Sequence, residues 1–148
     1  MSKVFVGRKK ELKELNLLLN KKSASLVVIR GRRRIGKSQL AKEFGKAHRF
    51  LNFSGIVPNQ ATTAQTQREA FAQQLAANLN APQIIANDWA TLFGALARET
   101  SYGRVVILLD EISWMGSKDP EFLGKLKHAW DMQFSENSEL VLILCGSV

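Results

Sequence analysis

The sequence has 148 residues, of which 45% are apolar, and this is enough material for a single domain with a buried core. No apolar run approaches the about 18 residues of a membrane-spanning helix, and residues 1–7 lack the apolar stretch of a signal peptide. Cys145 is the single cysteine, which excludes an internal disulfide, and together these features predict a cytoplasmic protein with no membrane contact.

The net charge of +8 is distributed unevenly along the chain. Residues 1–50 hold fifteen Lys or Arg against three Glu, whereas the rest of the chain holds six basic against ten acidic residues. One interpretation is a basic N-terminal third that binds nucleic acid or a protein partner. The other is a solvated helix followed by an anion-binding loop. The lack of aromatic residues among the basic ones favours the second interpretation.

The first 24 residues are predicted to form a short strand, a helix and a linker. Residues 3–7 are apolar and end at a glycine, which predicts an extended segment. Residues 8–20 then place leucines on one face and charged residues elsewhere, as an amphipathic helix does. The leucines of that face are Leu12, Leu15, Leu18 and Leu19. Residues 21–24 link this helix to the next apolar run.

A glycine-framed loop follows the apolar run Ser25–Ile29. It reads Gly31-Arg32-Arg33-Arg34-Ile35-Gly36-Lys37-Ser38, with the spacing of a P-loop. The two glycines allow positive φ, so that consecutive N–H groups can converge on one phosphate. Lys37 supplies a mobile positive charge, and the Ser38 hydroxyl is placed to bind Mg²⁺. The three arginines are solvated cations that raise local anion affinity, or contacts to a partner or nucleic acid.

The segments around this loop predict a buried strand before it and a helix after it. The run before it is short, apolar and β-branched, as in a parallel strand buried on both faces. After it, apolar residues and one histidine recur at helical spacing. They are Leu40, Ala41, Phe44, Ala47 and His48. Strand, loop and helix is the arrangement in which a P-loop binds phosphate, because the helix N-terminus adds partial positive charge.

The middle of the chain is predicted to hold a strand and two helices. Residues 49–54 alternate as a second strand. The Gln- and Asn-rich segment 61–80 has only a thin apolar stripe, which predicts a modestly docked helix over 63–79. Its apolar residues are Phe71, Leu75 and Leu79. Asp88 then caps a helix whose apolar face is formed by Trp89, Leu92, Phe93 and Leu96.

The last third of the chain is predicted to hold two strands around one helix. Residues 105–109 are apolar and end in Asp110 and Glu111, so both carboxylates lie at the carboxyl end of a buried strand. In an open parallel sheet, that edge is where ligands bind. Pro120 suits the first turn of a helix that runs to Phe134, and residues 139–145 form a fourth strand. The helix buries Phe122, Leu123, Leu126, Trp130 and Phe134. Trp114 and Met115, after the acids, are interpreted as packing residues.

These features together provide the parts that phosphoryl transfer to water requires. A phosphate-binding loop, a metal and a group that orients or deprotonates water are needed. Asp110 is the candidate partner of Ser38 for Mg²⁺, and Glu111 is the candidate general base.

The motifs resemble those of a known class of proteins. A P-loop followed by an apolar strand ending in Asp-Glu is similar to the AAA+ class of P-loop ATPases and their signalling relatives, the STAND ATPases. Three segments resemble those of the archaeal-type predicted ATPases of that group. They are GRRRIGKS, LLDEISWM and a strand that ends in Cys-Gly-Ser. The segment Phe5-Val6-Gly7-Arg8-Lys9-Lys10-Glu11-Leu12 resembles the stretch that opens such domains and lies against the adenine.

The resemblance implies a fold. It is the α/β P-loop fold of three layers, α/β/α, with a parallel sheet of order 5-1-4-3-2. Four of the five core strands are predicted here, in the order 1-4-3-2. The fifth strand, the helical lid, the arginine finger and the second sensor are expected beyond Val148. The chain is therefore expected to be one ATPase core, an N-terminal strand and helix over 1–22 and a nucleotide-binding core over 23–148.

The resemblance also implies functional residues. Ser147 lies where this group places a polar residue that senses the γ-phosphate, although it also fits a turn residue. Asn52 corresponds to a polar residue that restrains the catalytic glutamate in some AAA+ proteins, although an Asn in a strand more often bonds locally. Lys37 and Glu111 are the catalytic candidates, and Ser38 and Asp110 are the metal ligands. The expected nucleotide-binding residues are Val6, Gly7, Arg8, Gly31, Arg32, Arg33, Arg34, Ile35, Gly36, Lys37, Ser38, Gln39 and Ser147.

The leading hypothesis is an ATP-binding core that uses Mg²⁺ to hydrolyse ATP and drive a conformational switch in the complete protein. The alternatives are a nucleotide-gated regulatory module with little or no hydrolysis and a nucleic-acid-binding module. The sequence leaves open whether this chain itself hydrolyses ATP and whether it forms a homo-oligomer. No guanine-reading motif Asn-Lys-x-Asp is present.

Overall fold

The computed structural model describes residues 2–31 and 36–147, with side chains described for residues 9–30, 36 and 38–146. Within these residues the strands are β1 (Ser25–Gly31), β2 (Arg49–Ser54), β3 (Val105–Asp110) and β4 (Leu140–Ser147). The α-helices are α1 (Ser2–Leu17), α2 (Lys37–Gly45), α3 (Ala64–Leu79), α4 (Trp89–Glu99), α5 (Ile112–Met115) and α6 (Phe122–Met132). Short 3₁₀ turns cover Leu18–Asn20 and Phe134–Glu136.

The strands form one parallel sheet in the order β1-β4-β3-β2. This confirms the predicted order 1-4-3-2 and the α/β fold. The two central strands, β3 and β4, are buried apolar runs, as a sheet covered by helices on both faces requires. Within the described residues β1 is an edge strand, and its side chains Leu26 and Val28 are 44% and 53% exposed.

Successive side chains of each strand point to opposite faces of the sheet, so the core consists of two halves, one on each face. On one face, Leu15 of α1 and Leu40 and Phe44 of α2 pack against Val106 and Leu108 of β3. We call this the α2 face. On the other face, α3, α4 and α6 pack against the odd-numbered residues of β3. The three-layer arrangement α/β/α follows.

Aromatic rings join three helices to the sheet on the second face. Phe53 of β2 stacks on Phe71 of α3 with ring centroids 4.5 Å apart. Trp89 of α4 lies 4.8 Å from Phe122 of α6 and 5.4 Å from Phe93 in its own helix. These rings are almost entirely buried, so α3, α4 and α6 are fixed by large apolar contacts.

Three details of the predicted elements were wrong. Residues 3–7 are helical, because α1 begins at Ser2, and no strand precedes it in the described chain. Helix α2 ends at Gly45, so residues 47 and 48 lie in the turn before β2. Helix α6 begins at Phe122, later than predicted, and Leu123 is 67% exposed, because the buried face of that helix is centred on Phe122 and Leu126.

The Gln- and Asn-rich helix α3 is also more firmly docked than predicted, because its amides bond the free edge of β2. Gln67, Gln74 and Asn78 each accept from a backbone N–H and donate to the carbonyl of the same residue. Their partners are Ile56, Ser54 and Asn52, at 2.7–3.3 Å. We call these three pairs the amide ladder. It satisfies the groups that an edge strand otherwise leaves unpaired.

Candidate functional site

Strands β1, β3 and β4 end at one edge of the sheet. The register places Gly31, the last residue of β1, opposite Ser147 of β4, and Leu109 of β3 opposite Leu144 of β4. Asp110 follows at the tip of β3. The parallel arrangement therefore brings the ends of the strand before the P-loop and the strand before the acids to the same edge, with β4 between them.

The described residues on either side of the P-loop form a strand and a helix, as predicted. Strand β1 ends at Gly31 and helix α2 begins at Lys37. Gly36 is the N-cap of α2 with φ 86° and ψ 14°, a left-handed conformation that favours glycine. Its carbonyl accepts from Leu40 N–H at 2.9 Å, the first bond of the helix. Residues 32–35 and the Lys37 side chain lie outside the described residues.

Helix α2 is fixed on the α2 face by buried apolar side chains. Leu40, Ala41 and Phe44 are at most 4% exposed and pack on the sheet. Ser38, in the first turn of the helix, is half-buried. The buried face of α2 thus fixes where its N-terminus and the Ser38 hydroxyl lie relative to the strand ends.

Asp110 belongs to the same face of the sheet as α2. Its neighbours Val106 and Leu108 pack with α2, and side chains alternate along a strand, so the Asp110 carboxylate lies toward the P-loop helix. The Asp110 Oδ1 atom accepts from the N–H of Glu111 at 2.9 Å. This bond orients the half-buried carboxylate at the strand tip.

Glu111 has an uncommon backbone conformation. Its φ of 52° and ψ of 50° lie in the left-handed region, which costs a non-glycine residue about 1–3 kcal/mol and persists only where the surroundings impose it. Glu111 is the N-cap of α5, and its carbonyl accepts from the N–H groups of Trp114 and Met115 at 3.0 and 3.1 Å. The side chain is half-buried, with Oε1 shielded from solvent.

Sequence reasoning missed the segment that packs on these acids. Gly55, the buried residue after β2, donates its N–H to the Asp110 carbonyl at 3.0 Å. A Cβ at residue 55 would lie 2.6 Å from the Glu111 carbonyl oxygen and 2.7 Å from Met115 N. In sequence, Gly55 resembles an ordinary strand terminator, and Gln67 is one of several amides in the next helix, so neither residue signals this contact. Helix α5 itself was too short for a periodic pattern.

Of the other predicted site residues, the structure describes the side chains of some and only the backbone of others. Asn52 lies on β2 on the same face as Asp110, and its Oδ1 atom is buried with no hydrogen-bond partner among the described residues. Gln39 is exposed in the first turn of α2. Ser147 ends β4 opposite Gly31, but its side chain, like those of residues 6–8, lies outside the described set. The functional roles of these residues stay predictions.

The oxygen donors at this edge suit Mg²⁺. A hydroxyl and a carboxylate are hard ligands, and Mg²⁺ is commonly held by one or two carboxylates together with substrate phosphates and water. In the part of the chain that the structure describes, no group of three or more His, Cys, Asp or Glu is arranged to hold a metal. In the same part, no helix combines the length and apolar character that crossing a membrane requires.

Comparison with known proteins gives one family and one relative that match nearly the whole chain, and a second relative that matches a shorter segment. A family model described as an ATPase domain predominantly from Archaea matches residues 5–148. An uncharacterized protein of Methanocaldococcus jannaschii is 25% identical over 144 residues, which are 97% of this chain and 30% of that relative. An uncharacterized ATP-binding protein of the same organism is 46% identical over 41 residues, which are 28% of this chain and 70% of the relative.

Solved structures share the fold. A chain in the structure of Drosophila ORC bound to DNA has a TM-score of 0.61 at 12% identity, over 96% of this chain and 37% of that chain. The Walker-type ATPase paby2304 of Pyrococcus abyssi has a TM-score of 0.57 at 18% identity, over 94% of this chain and 44% of that chain. This chain therefore spans less than half the length of these two structures and about a third of the first M. jannaschii relative.

Proposed function

The chain belongs to the family of ATPase domains predominantly from Archaea, and on that premise we propose that it binds ATP with Mg²⁺ at the P-loop edge of the sheet and that hydrolysis of this ATP drives a conformational switch in the complete protein. The observation that carries the proposal is the position of Asp110. It lies at the tip of β3, on the face where α2 packs, at the edge where β1 ends. An acid in that place faces the phosphates of a nucleotide bound by the P-loop.

Nucleotide binding rests on residues 31–38. We expect their main-chain N–H groups to donate to the β-phosphate, and the N-terminus of α2 adds partial positive charge. Lys37 bonds the terminal phosphates. Residues 6–8 contact the adenine and Ser147 senses the γ-phosphate, as in the AAA+ proteins that the motifs resemble.

Hydrolysis rests on the acidic pair. Glu111 accepts a proton from water as the water oxygen bonds to the γ-phosphorus, and the bond from that phosphorus to the β–γ bridging oxygen breaks to release ADP. Ser38 and Asp110 would hold Mg²⁺. When bound, the ion would neutralise charge on the phosphate oxygens. Asn52 restrains Glu111 from β2.

A Glu111→Gln variant tests this proposal. We expect the purified protein to bind ATP with unchanged affinity in calorimetry, while multiple-turnover phosphate release stops. The matched control is Glu69→Gln, which makes the same change at an exposed position on α3 and leaves both readouts unchanged. Undiminished turnover in Glu111→Gln removes Glu111 from the mechanism. ATP binding without turnover in the wild type instead supports the nucleotide-gated regulatory module.

A second candidate function is nucleic-acid binding. Two observations favour it: the exposed lysines of the N-terminal third and the fold shared with ORC, which that structure shows bound to DNA. The lysines are Lys9, Lys10, Lys13, Lys21 and Lys22. Binding of labelled DNA or RNA that weakens steeply with added salt supports this function, and no binding at low salt excludes it. Sedimentation with and without ATP determines whether copies of the chain associate.

A further inference from the structure

We propose that Gly55, anchored through Ile56 by the Gln67 side chain, is a positioning residue for Glu111. The inference rests on the proposed role of Glu111 as general base. Neither Gly55 nor Gln67 carries a group that reacts with nucleotide or water. Both act through the backbone of the acidic pair.

Gly55 touches the acidic pair through main-chain atoms. Its N–H bonds the Asp110 carbonyl at 3.0 Å, which extends the pairing of β2 and β3 one residue beyond Ser54. Its α-carbon faces the Glu111 carbonyl so closely that a Cβ would lie 2.6 Å from that oxygen. Backbone atoms of a buried turn cannot move aside as the end of a flexible side chain can. Only glycine therefore fits this contact without displacing Glu111.

The contact acts on the part of Glu111 that is held in a left-handed conformation. The same Cβ would lie 2.7 Å from Met115 N, the donor to the Glu111 carbonyl. A methyl group at residue 55 would therefore separate the two atoms of the bond that begins α5. Because the Glu111 side chain is attached to this backbone, a shift of the main chain at Glu111 that relieves the clash also shifts the carboxylate. Catalytic groups need placement within about 0.5 Å, and an error of about 1 Å can lower the rate about 100-fold.

Gln67 fixes the residue that follows Gly55. It is 1% exposed, accepts from Ile56 N–H at 2.9 Å and donates to the Ile56 carbonyl at 2.8 Å. Helix α3, which carries it, is held to β2 by the stacking of Phe71 on Phe53 and by the other two pairs of the amide ladder. The backbone on both sides of Gly55 is thereby anchored to rigid elements.

The test compares turnover with ATP affinity in Gly55→Ala. We expect kcat to fall at least about tenfold, while the Kd for ATP stays within about twofold. The substitution misplaces the Glu111 carboxylate but does not change the P-loop residues that bind the phosphates. The matched control is Gly124→Ala, which adds the same methyl to α6 where no atom lies within 4 Å, and leaves kcat unchanged.

Gln67→Leu repeats the test without adding atoms beside Glu111, and is used alone if Gly55→Ala does not fold. Its kcat should also fall, and Gln67→Glu, which keeps the acceptor for Ile56 N–H, should be intermediate. If Gly55→Ala and Gln67→Leu both keep the wild-type kcat while Glu111→Gln is inactive, the inference is overturned and the proposed function stands. A loss of ATP affinity in these two variants that is as large as their loss of kcat also overturns the inference. Wild-type turnover in Glu111→Gln is a different result, which overturns the proposed function.

A crystal structure of Gly55→Ala tests the geometric step independently of turnover. We expect the Glu111 carbonyl to move and its hydrogen bond to Met115 N–H to lengthen. A Glu111 backbone that superposes on the wild type overturns the inference whatever the kinetics show.

Discussion

The N–H of Gly55 donates to the carbonyl of Asp110 at 3.0 Å, and this bond joins the end of β2 directly to the acidic pair at the end of β3. The residue on one side of Gly55 pairs with Asp110 across the sheet, and the residue on the other side is clamped by Gln67. The candidate catalytic edge is therefore supported from β2 and α3 as well as from α2, which packs on the other face of β3.

The left-handed Gly36 provides a test of the P-loop backbone. Because φ is 86° there, Gly36→Ala should lower the free energy of unfolding by about 1–2 kcal/mol. ATP affinity should fall as well, because the substitution strains the start of the phosphate-binding helix. Urea denaturation and calorimetry measure the two effects. Gly124→Ala on α6, where a Cβ meets open space, should leave both within error or be slightly stabilising, and an unaffected Gly36→Ala contradicts the left-handed assignment.

The amide ladder makes a prediction about stability. Gln74→Leu removes two hydrogen bonds to the backbone of Ser54 and should lower the free energy of unfolding by about 1–2 kcal/mol. The adjacent Gln73 is exposed, so Gln73→Leu should change stability by less than about 0.5 kcal/mol. Urea unfolding of both variants measures the difference. Equal effects would show that the ladder does not stabilise the edge of β2.

The ion pair between Asp88 and Lys125 predicts a pH dependence. The hydrogen bond from the Lys125 ammonium, together with that from Ala90 N–H, holds the pKa of Asp88 below its usual value of 3.8. A lowered pKa contributes stability above the unfolded pKa and loses it as pH falls through the folded pKa. Asp88→Asn keeps a helix-capping oxygen but removes the charge.

The stability difference between wild type and Asp88→Asn should therefore be present at pH 6 and shrink below about pH 4. It should be small, about 0.2–1 kcal/mol, because Asp88 is 38% exposed and solvent screens the pair. Urea unfolding across this pH range measures it. A difference that does not change with pH would assign the effect of Asp88 to capping alone.

The lysine of the P-loop provides the sharpest test of nucleotide binding. Lys37→Ala should weaken ATP binding at least about tenfold, since a hydrogen bond from a charged donor contributes about 1.5–3 kcal/mol. Lys42→Ala, on the same helix but after the first turn, should bind ATP with little change. Calorimetry in the presence of Mg²⁺ compares them. Equal affinities in the two variants would place the phosphates elsewhere.

Much of the fold was predictable because its local signals are strong. Strand β2 has the predicted bounds, the buried runs of β3 and β4 are apolar throughout, and Asp88 caps α4 as its position indicated. The P-loop spacing and the Asp-Glu pair predicted a site at one edge of the sheet, and the strands that precede them do end at the same edge. These signals are each contained in fewer than ten consecutive residues.

What the sequence could not show depends on contacts between distant segments. Helix α3 has only a weak apolar pattern, so its sequence does not predict how it docks. The structure shows that Gln67, Gln74 and Asn78 on its polar side bond the backbone along the edge of β2. The same holds for Gly55, which resembles an ordinary strand terminator in sequence. The helical conformation of residues 3–7 was missed because an apolar segment of five residues fits a strand and a helix equally well.

A crystal structure of the chain with Mg²⁺ and a non-hydrolysable ATP analogue tests the central claim most directly. We predict that the β-phosphate contacts the backbone amides of residues 31–38, with Ser38 bound to the metal and Asp110 beside it, directly or through one water molecule. An analogue bound on another face of the sheet, or a metal remote from Asp110, would contradict the account.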